Sequence, residues 1–214
     1  MAVALCAATL VSTELRAQRA FEGVITAESN VNKKTQTETL YVKGLRWRLD
    51  GYDPNPQAAG AYMVGDDKGQ LTLMMAPRKF YMRQPVATDL DQAVGLVTFT
   101  KSGKTESVAG SQCEYYTVQF KNSDAMDRQF CVATNLGFVG FAPEVRVHEG
   151  LSVIGIAAVA RRKFPDGFVV LKAIDKTGKV VFTANKIDRH SLGDDVFDTP
   201  AGWKEAPTRG RPPQ

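Results

Sequence analysis

Few residues of this chain could perform covalent or acid–base chemistry. The 214 residues include two histidines, His148 and His190, and neither lies in a Gly-x-Ser-x-Gly elbow or a His-Glu-x-x-His motif. A hydrolase needs a nucleophile beside a base. If Cys113 and Cys131 form a disulfide, no thiolate nucleophile remains in the mature chain. The sequence therefore predicts a protein that is not an enzyme and that has no cofactor.

The charged clusters point to no metal and to no nucleic acid. Asp66-Asp67 and Asp194-Asp195 lie in turn-like segments, but a calcium loop needs a denser series of oxygen ligands. The basic run Arg161-Arg162-Lys163 is interpreted as a solvated strand end, with an anionic lipid head group as the alternative. A net charge of +4 is too small to indicate nucleic acid. No apolar run reaches the ~18 residues that a transmembrane segment needs.

The N-terminus predicts export. Residues 2–11 read AVALCAATLV, a short apolar segment, and residues 1–17 are predicted to be a signal peptide, with cleavage after Ala20 as the second candidate. A buried N-terminal helix is the alternative. Cleavage removes Cys6 and leaves a mature domain over residues 18–205 with a disordered tail, 206–214. The expected location is periplasmic or secreted.

The two remaining cysteines flank a turn signal. Cys113 lies nine residues before Asn122, and Cys131 lies nine residues after it. The cluster Asn122-Ser123-Asp124 favours a turn, and a hairpin there would place the cysteines roughly opposite each other. In an exported chain the expected result is one disulfide; two buried free thiols are the alternative.

Period-two alternation between turn residues indicates antiparallel strands along most of the chain. In the clearest case Leu45, Trp47 and Leu49 are predicted to face one side, and Arg46, Arg48 and Asp50 the other. About ten strands are predicted, with a short helix over Thr88–Val94 and a helical turn within 134–150. The expected fold is mainly β: a single curved antiparallel sheet that forms a barrel or an unclosed half-barrel.

An excess of soft apolar residues is the most informative feature of the composition. Leucine, methionine and aromatic residues crowd the segment from Leu71 to Met82. Methionine suits irregular binding surfaces, and it also fills gaps in cores. We therefore predict an apolar cavity for a lipid or a lipidated partner, with a filled core as the alternative. The predicted lining residues are Trp47, Leu73, Met75, Phe80 and Met82.

Several segments of the chain form a recurring order of weak motifs. They are LYVKGLRWRLD, the acidic turn followed by MMAPRKFYM, the stretch GKTESVAGSQCEYYTV around the first cysteine, FCVATNLG around the second, and DVFDTPAGWK as a closing strand. Together these segments resemble one family of exported bacterial proteins, DUF4412. The resemblance covers roughly residues 20–205. The last segment is also similar to the end of LolA/LolB-like lipoprotein carriers. The resemblance implies an unclosed β-barrel whose concave face holds acyl chains.

Two functional hypotheses lead, and an unrecognised hydrolase is a third, placed last because no nucleophile–base pair is found. The first is an exported, non-catalytic protein that holds a lipid or a lipoprotein acyl group in the concave face of a half-barrel. The second is an envelope protein–protein interaction module with a filled core and no ligand, which would use an edge strand or loops to hold its partner.

Overall fold

The fold is known from a computed structural model, which describes residues 21–31, 34–51, 59–66, 70–84, 97–121, 128–136, 163–164 and 167–206. Within these residues twelve strands form one sheet. The strands are β1 Glu22–Val31, β2 Lys34–Lys43, β3 Arg46–Asp50, β4 Tyr62–Gly65, β5 Leu71–Met75, β6 Phe80–Gln84, β7 Val97–Val108, β8 Ser111–Phe120, β9 Arg128–Ala133, β10 Val169–Asp175, β11 Val180–Arg189 and β12 Lys204–Glu205. Two short 3-10 helices occupy Ala76–Arg78 and Asp194–Phe197.

The sheet is an open one, with strand order β12-β6-β5-β4-β3-β2-β1-β11-β10-β9-β8-β7. Neighbours in the chain pair as antiparallel hairpins from β1 to β6 and from β7 to β11. The pairing of β1 with β11 joins these two halves. The expected mainly β fold, a single unclosed curved sheet, is thus confirmed.

Side-chain alternation divides the sheet into two faces. We call the face that bears Ile25, Leu40 and Leu49 the inner face; cross-strand pairing continues it to Phe182 and Phe130 on the other half. These five side chains are buried. The predicted alternation in β3 is confirmed for Trp47 and Leu49, which share the inner face. Leu45 departs from that expectation, because it lies in the turn before β3 and is 46% exposed.

The opposite, outer face of β3–β6 is covered by the C-terminal segment. Leu192 and Phe197 are buried in one cluster with Tyr62, Val64 and Met74. Ion pairs also connect this C-terminal segment to the sheet. Asp194 bonds Lys43 at 3.0 Å and Arg46 at 3.1 Å, and Asp198 bonds Arg46 at 3.2 Å. The segment expected to be a closing strand is mostly a 3-10 helix and loop. Its last residue joins the two-residue strand β12, which runs parallel to β6.

The predicted hairpin disulfide is present. Cys113 of β8 and Cys131 of β9 are joined with a Cα–Cα distance of 5.2 Å. Their positions are diagonal, since Tyr115 pairs with Cys131 in the register of the two strands. The two cysteines are therefore two residues out of direct register, and a diagonal pair on one face still lies within disulfide reach.

Several predictions concern residues outside the described part of the chain. These are the signal peptide 1–17 with the alternative cleavage after Ala20, the helix Thr88–Val94, the turn Asn122-Ser123-Asp124, the helical turn after residue 136, His148, the pair Arg161-Arg162 and the tail after Ala206. In the described residues no helix is long and apolar enough to span a membrane. The same residues hold no group of three or more metal-ligating side chains.

Candidate functional site: the inner apolar face

One row of apolar residues crosses seven strands of the inner face in register. Each member is the cross-strand partner of the next, so their side chains lie side by side. The row, which we call the apolar row, consists of Ile187, Ile25, Leu40, Leu49, Met63, Leu73 and Met82. Its middle members Ile25, Leu40 and Leu49 are buried, whereas Met63, Leu73 and Met82 are half-buried. An apolar surface therefore extends from the core towards the β6 edge.

All five residues predicted to line a cavity lie on this face. Leu73 and Met82 belong to the apolar row itself. Met75 and Phe80 are partners of each other and lie two residues from Leu73 and Met82 on the same strands, so they share the face. Trp47 lies two residues before Leu49 on β3. All five are half-buried. Their common face is thus a structural fact, and their contact with a ligand stays a prediction.

Trp47 lies against the backbone of the neighbouring strand at Gly65. Its cross-strand partner is Gly65, and a Cβ atom on Gly65 would overlap Cε2 and Nε1 of the indole. Gly65 is not among the glycines with positive φ. The need for glycine here therefore comes from the close approach of the ring rather than from backbone conformation.

We expect Gly65→Ala to destabilise the protein through this clash alone. The overpacking should lower the free energy of unfolding by about 1–3 kcal/mol, and in a Trp47→Leu background the same change should cost less than ~0.5 kcal/mol. Urea unfolding of the four proteins gives the coupling energy directly. Equal costs in both backgrounds would show that the indole does not occupy this position.

The sequence prediction missed a buried polar group on the inner face. Glu38 and Ser29 are 1% and 0% exposed. Ser29 Oγ donates a hydrogen bond to Glu38 Oε1, and Gln36 Nε2 donates to the same oxygen at 2.9 Å. The period-two alternation of the sequence could have indicated this buried glutamate, since Glu38, Leu40 and Val42 occupy successive inward positions of β2. A glutamate in that series marks a polar group directed inward.

A small cavity of about 10 Å³ lies next to Glu38. That volume corresponds to roughly one water molecule. Its lining residues are Ile25, Ala27, Glu38, Leu40, Leu49, Val169, Val170 and Phe182. The central part of the inner face is therefore almost completely filled, and the accessible apolar surface lies on β3–β6.

A larger hollow of about 370 Å³ opens at the β10–β11 turn, away from the apolar row. Arg128 and Asp175 are among its lining residues. Asp175 is engaged within its own turn, where it accepts hydrogen bonds from the Thr177 side chain at 2.6 Å and from the backbone N–H of Lys179 at 3.0 Å. These bonds, that from Thr177 first, lower the pKa of Asp175. Its carboxylate stabilises the turn.

His190 and the acidic residues near it lie on the surface of the described part of the chain. His190 Nδ1 lies 3.7 Å from Asp188, but the two side chains are 48% and 47% exposed, and Lys186 binds the same carboxylate. The hydrogen bond from Lys186 lowers the pKa of Asp188. Asp194 is fastened to Lys43, whose hydrogen bond lowers its pKa. These groups act as surface ion pairs.

A second polar cluster connects β7, β8 and β10 beside the disulfide. Lys172 of β10 reaches Glu106 of β7 at 2.8 Å, and the Tyr115 hydroxyl donates to the same carboxylate. The hydrogen bond from Lys172, followed by that from Tyr115, lowers the pKa of Glu106. Burial, followed by the bond to Glu106, raises the pKa of Tyr115. The cluster ties β7, β8 and β10 together across β9.

The fold and the site define a class of protein: a single-sheet, open antiparallel β half-barrel with an apolar inner face. Within that class the chain belongs to the family described as Domain of unknown function (DUF4412), whose family model matches residues 21–203. The resemblance found in the sequence is thereby confirmed. No curated protein matches the chain.

Solved structures with a similar fold have low sequence identity. An uncharacterized conserved protein from Thermus thermophilus superposes with a TM-score of 0.52 at 10% identity, over 88% of this chain and 91% of that chain. The MucA/MucB complex of Pseudomonas aeruginosa gives a TM-score of 0.45 at 15% identity, over 86% of this chain and 57% of that chain. The first of these similarities concerns the fold alone.

Proposed function

We propose that this protein is a non-catalytic binding protein that holds a lipid or a lipoprotein acyl group against its inner face. One observation carries the proposal: the apolar row continues in register beyond the filled core onto β4–β6, where Met63, Leu73 and Met82 are only half-buried. A row that served the core alone would end where the core ends.

The chemistry of this surface suits a flexible hydrocarbon. Methionine side chains are unbranched and polarisable, so they adapt to chains of different shape. Each methylene group buried on the surface contributes about 0.8 kcal/mol. Trp47 and Phe80 add flat, rigid surface beside the methionines. The described histidine, His190, is about half exposed and lies away from this surface in the sheet, and we infer binding without catalysis.

The disulfide supports export, because such bonds persist in the periplasm and outside the cell and are rare in the cytosol. We therefore assign the protein to the periplasm or to the secreted fraction. The mass of the mature chain purified from an exported fraction would reveal whether residues 1–17 or 1–20 have been removed.

Native mass spectrometry of the protein purified without detergent tests the binding proposal. We expect an added mass in the lipid range that organic extraction removes. Leu73→Asp should reduce the bound fraction at least tenfold, because it places a charge in the middle of the apolar row. Met75→Asp and Phe80→Asp should act in the same direction.

Thr72→Asp is the matched control. Thr72 lies on the same strand as Leu73 but faces the outer side, where its partners are Val64 and Arg83. The Thr72→Asp substitution introduces the same charge one residue away on the other face, so ligand capture should be unchanged. A bare polypeptide mass for the wild type, or equal capture by folded Leu73→Asp and Thr72→Asp variants, would overturn the proposal.

The end of the sheet formed by β7 among the described strands favours a second candidate function, the binding of an envelope protein. β7 lies at the end of the strand order, with β8 as its strand neighbour in the described sheet. Lys163 Nζ donates a hydrogen bond to the backbone carbonyl of Phe99, which indicates that the backbone groups of Phe99 and Lys101 point away from β8. An extended peptide could pair with such an edge.

Lys101→Pro separates the two functions. Proline removes an N–H that points away from β8 and keeps the backbone pairing with β8, although it also removes the exposed ion pair of Lys101 with Glu114. If the edge binds a protein, co-purification of that partner from the exported fraction should be lost while lipid capture stays at the wild-type level. A partner retained at the wild-type amount would exclude the β7 edge.

A further inference from the structure

The two-residue strand β12 adds a charged position to the inner face. Lys204 is the cross-strand partner of Phe80, so the two side chains leave the sheet on the same side. Phe80 pairs in turn with Met75 on the next strand. Lys204 therefore extends an otherwise apolar line of inner-face residues, at the β12 end of the described sheet.

The contacts of the residues on either side of Lys204 agree with this direction. The ring of Trp203 lies 6.2 Å from that of Tyr62, which is buried in the outer-face cluster. Glu205 binds Arg83, the outer-face partner of Thr72, at 3.2 Å. Since Trp203 and Glu205 both point to the outer face, the residue between them in an extended chain points to the inner face.

The β12 end of the inner face is positively charged. Lys204 is the one charged residue at the inner positions of β3–β6 and β12 in the described sheet. It is exposed, and its side chain has no ion pair within the described residues. Two further exposed cations, Arg78 and Lys79, lie at the same corner, where the Lys204 N–H donates to the Lys79 carbonyl at 3.1 Å.

The distance from this positive end to the half-buried part of the apolar row suits one acyl chain. From β12 to β4, which bears Met63, there are three strand spacings. At about 4.8 Å each, they span about 14 Å along the sheet. The acyl chains of one bilayer leaflet fill a similar depth, about 15 Å, which is half of the hydrocarbon core. A ligand with its head group at Lys204 would therefore lay its chain over β6 and β5 as far as Met63.

We propose that the inner face selects acyl ligands with an anionic head group, a carboxylate or a phosphate, and that Lys204 is the residue that contacts this group. The proposal rests on the acyl-binding function proposed above. A lysine ammonium group has three donors, and its hydrogen bonds to a carboxylate or a phosphate are stronger than those between neutral groups. Arg78 and Lys79 add to the positive potential at the same end.

Three ligands with the same acyl chain test the selection: palmitate, palmitoyl lysophosphatidate and monopalmitoylglycerol. Each is titrated, below the concentration at which it forms micelles, against the exported protein purified without detergent. We expect at least one of the two anions to bind roughly fivefold more tightly than the neutral glycerol ester, the fold-change for one exposed pair of opposite charges. The tighter of the two anions identifies the head group as a carboxylate or a phosphate.

The outcomes of this comparison separate the two proposals. If neither anion binds more tightly than monopalmitoylglycerol, the selection for an anionic head group is overturned and acyl binding stands. If none of the three ligands binds the wild type, both proposals are overturned. The comparison uses the wild-type protein and needs no variant to fold.

Lys204→Glu provides the second arm. The substitution reverses the charge at the head-group position and keeps a charged side chain at the sheet edge, so any role of Lys204 in preventing edge pairing between molecules is retained. We expect the preference for the anion to be lost. Lys179→Glu, in the exposed turn between β10 and β11, is the matched control, because it changes the net charge equally at a place away from the inner face. A wild-type preference in a folded Lys204→Glu variant, or an equal loss in both variants, overturns the assignment of Lys204.

Discussion

Leu49→Ala should lower the free energy of unfolding by about 2–5 kcal/mol, the range for truncating a fully buried leucine. Leu49 is 0% exposed and lies in the middle of the apolar row, between Leu40 and Met63. The change removes apolar contacts on both neighbouring strands, and the sheet can close the resulting cavity only in part. Urea denaturation followed by far-UV circular dichroism measures the loss.

Leu45→Ala is the matched control for this prediction. It is the same substitution in the same hairpin, but Leu45 is 46% exposed in the turn. Its effect should remain within ~0.5 kcal/mol. If Leu49→Ala lowers the free energy of unfolding as little as Leu45→Ala is expected to, the inner face is not packed at Leu49. The apolar row would then have no buried centre.

Removal of the disulfide should cost about 3 kcal/mol. The two cysteines are separated by 18 residues, and closing a loop of that length restricts the unfolded chain by roughly this amount in the chain-entropy description. A Cys113→Ala/Cys131→Ala variant should therefore unfold at lower urea concentration than the oxidised wild type. Since both residues are buried between β8 and β9, the alanines also leave some unfilled space.

Reduction of the disulfide separates its covalent contribution to the free energy of unfolding from the contribution of cysteine packing. Dithiothreitol should lower the stability of the wild type and leave the double alanine variant unchanged. The reduced wild type should remain slightly more stable than the variant, because its thiols still fill the space. If the reductant has no effect on the wild type, the bond does not form in the purified protein, and the argument for export from its presence fails.

The two predictions concern different halves of the sheet. Leu49 belongs to the half that carries the proposed ligand surface, and the disulfide belongs to the half formed by β7–β11. The pairing of β1 with β11 connects them. Ligand capture by the disulfide variant under conditions where it stays folded would show that the binding surface is independent of the second half.

The alternation of the sequence determined which residues share a face. Trp47, Leu73, Met75, Phe80 and Met82 could be assigned to one apolar surface before the fold was known, because side chains two apart on a strand point the same way and hairpin turns set the register. The cysteine hairpin was predictable for the same reason. All of these features depend on residues close together in the chain.

Only the tertiary structure decided what each face is packed against. β1 pairs with β11, which is far away in the chain, and no local pattern indicates that choice. The C-terminal segment covers the outer face through ion pairs such as Arg46 with Asp194, so the inner face of β3–β6 is the one left half-buried. Glu38 is buried because Val169 and Phe182 from distant strands close around it. Alternation is a local property of the chain, whereas burial depends on which distant segments meet.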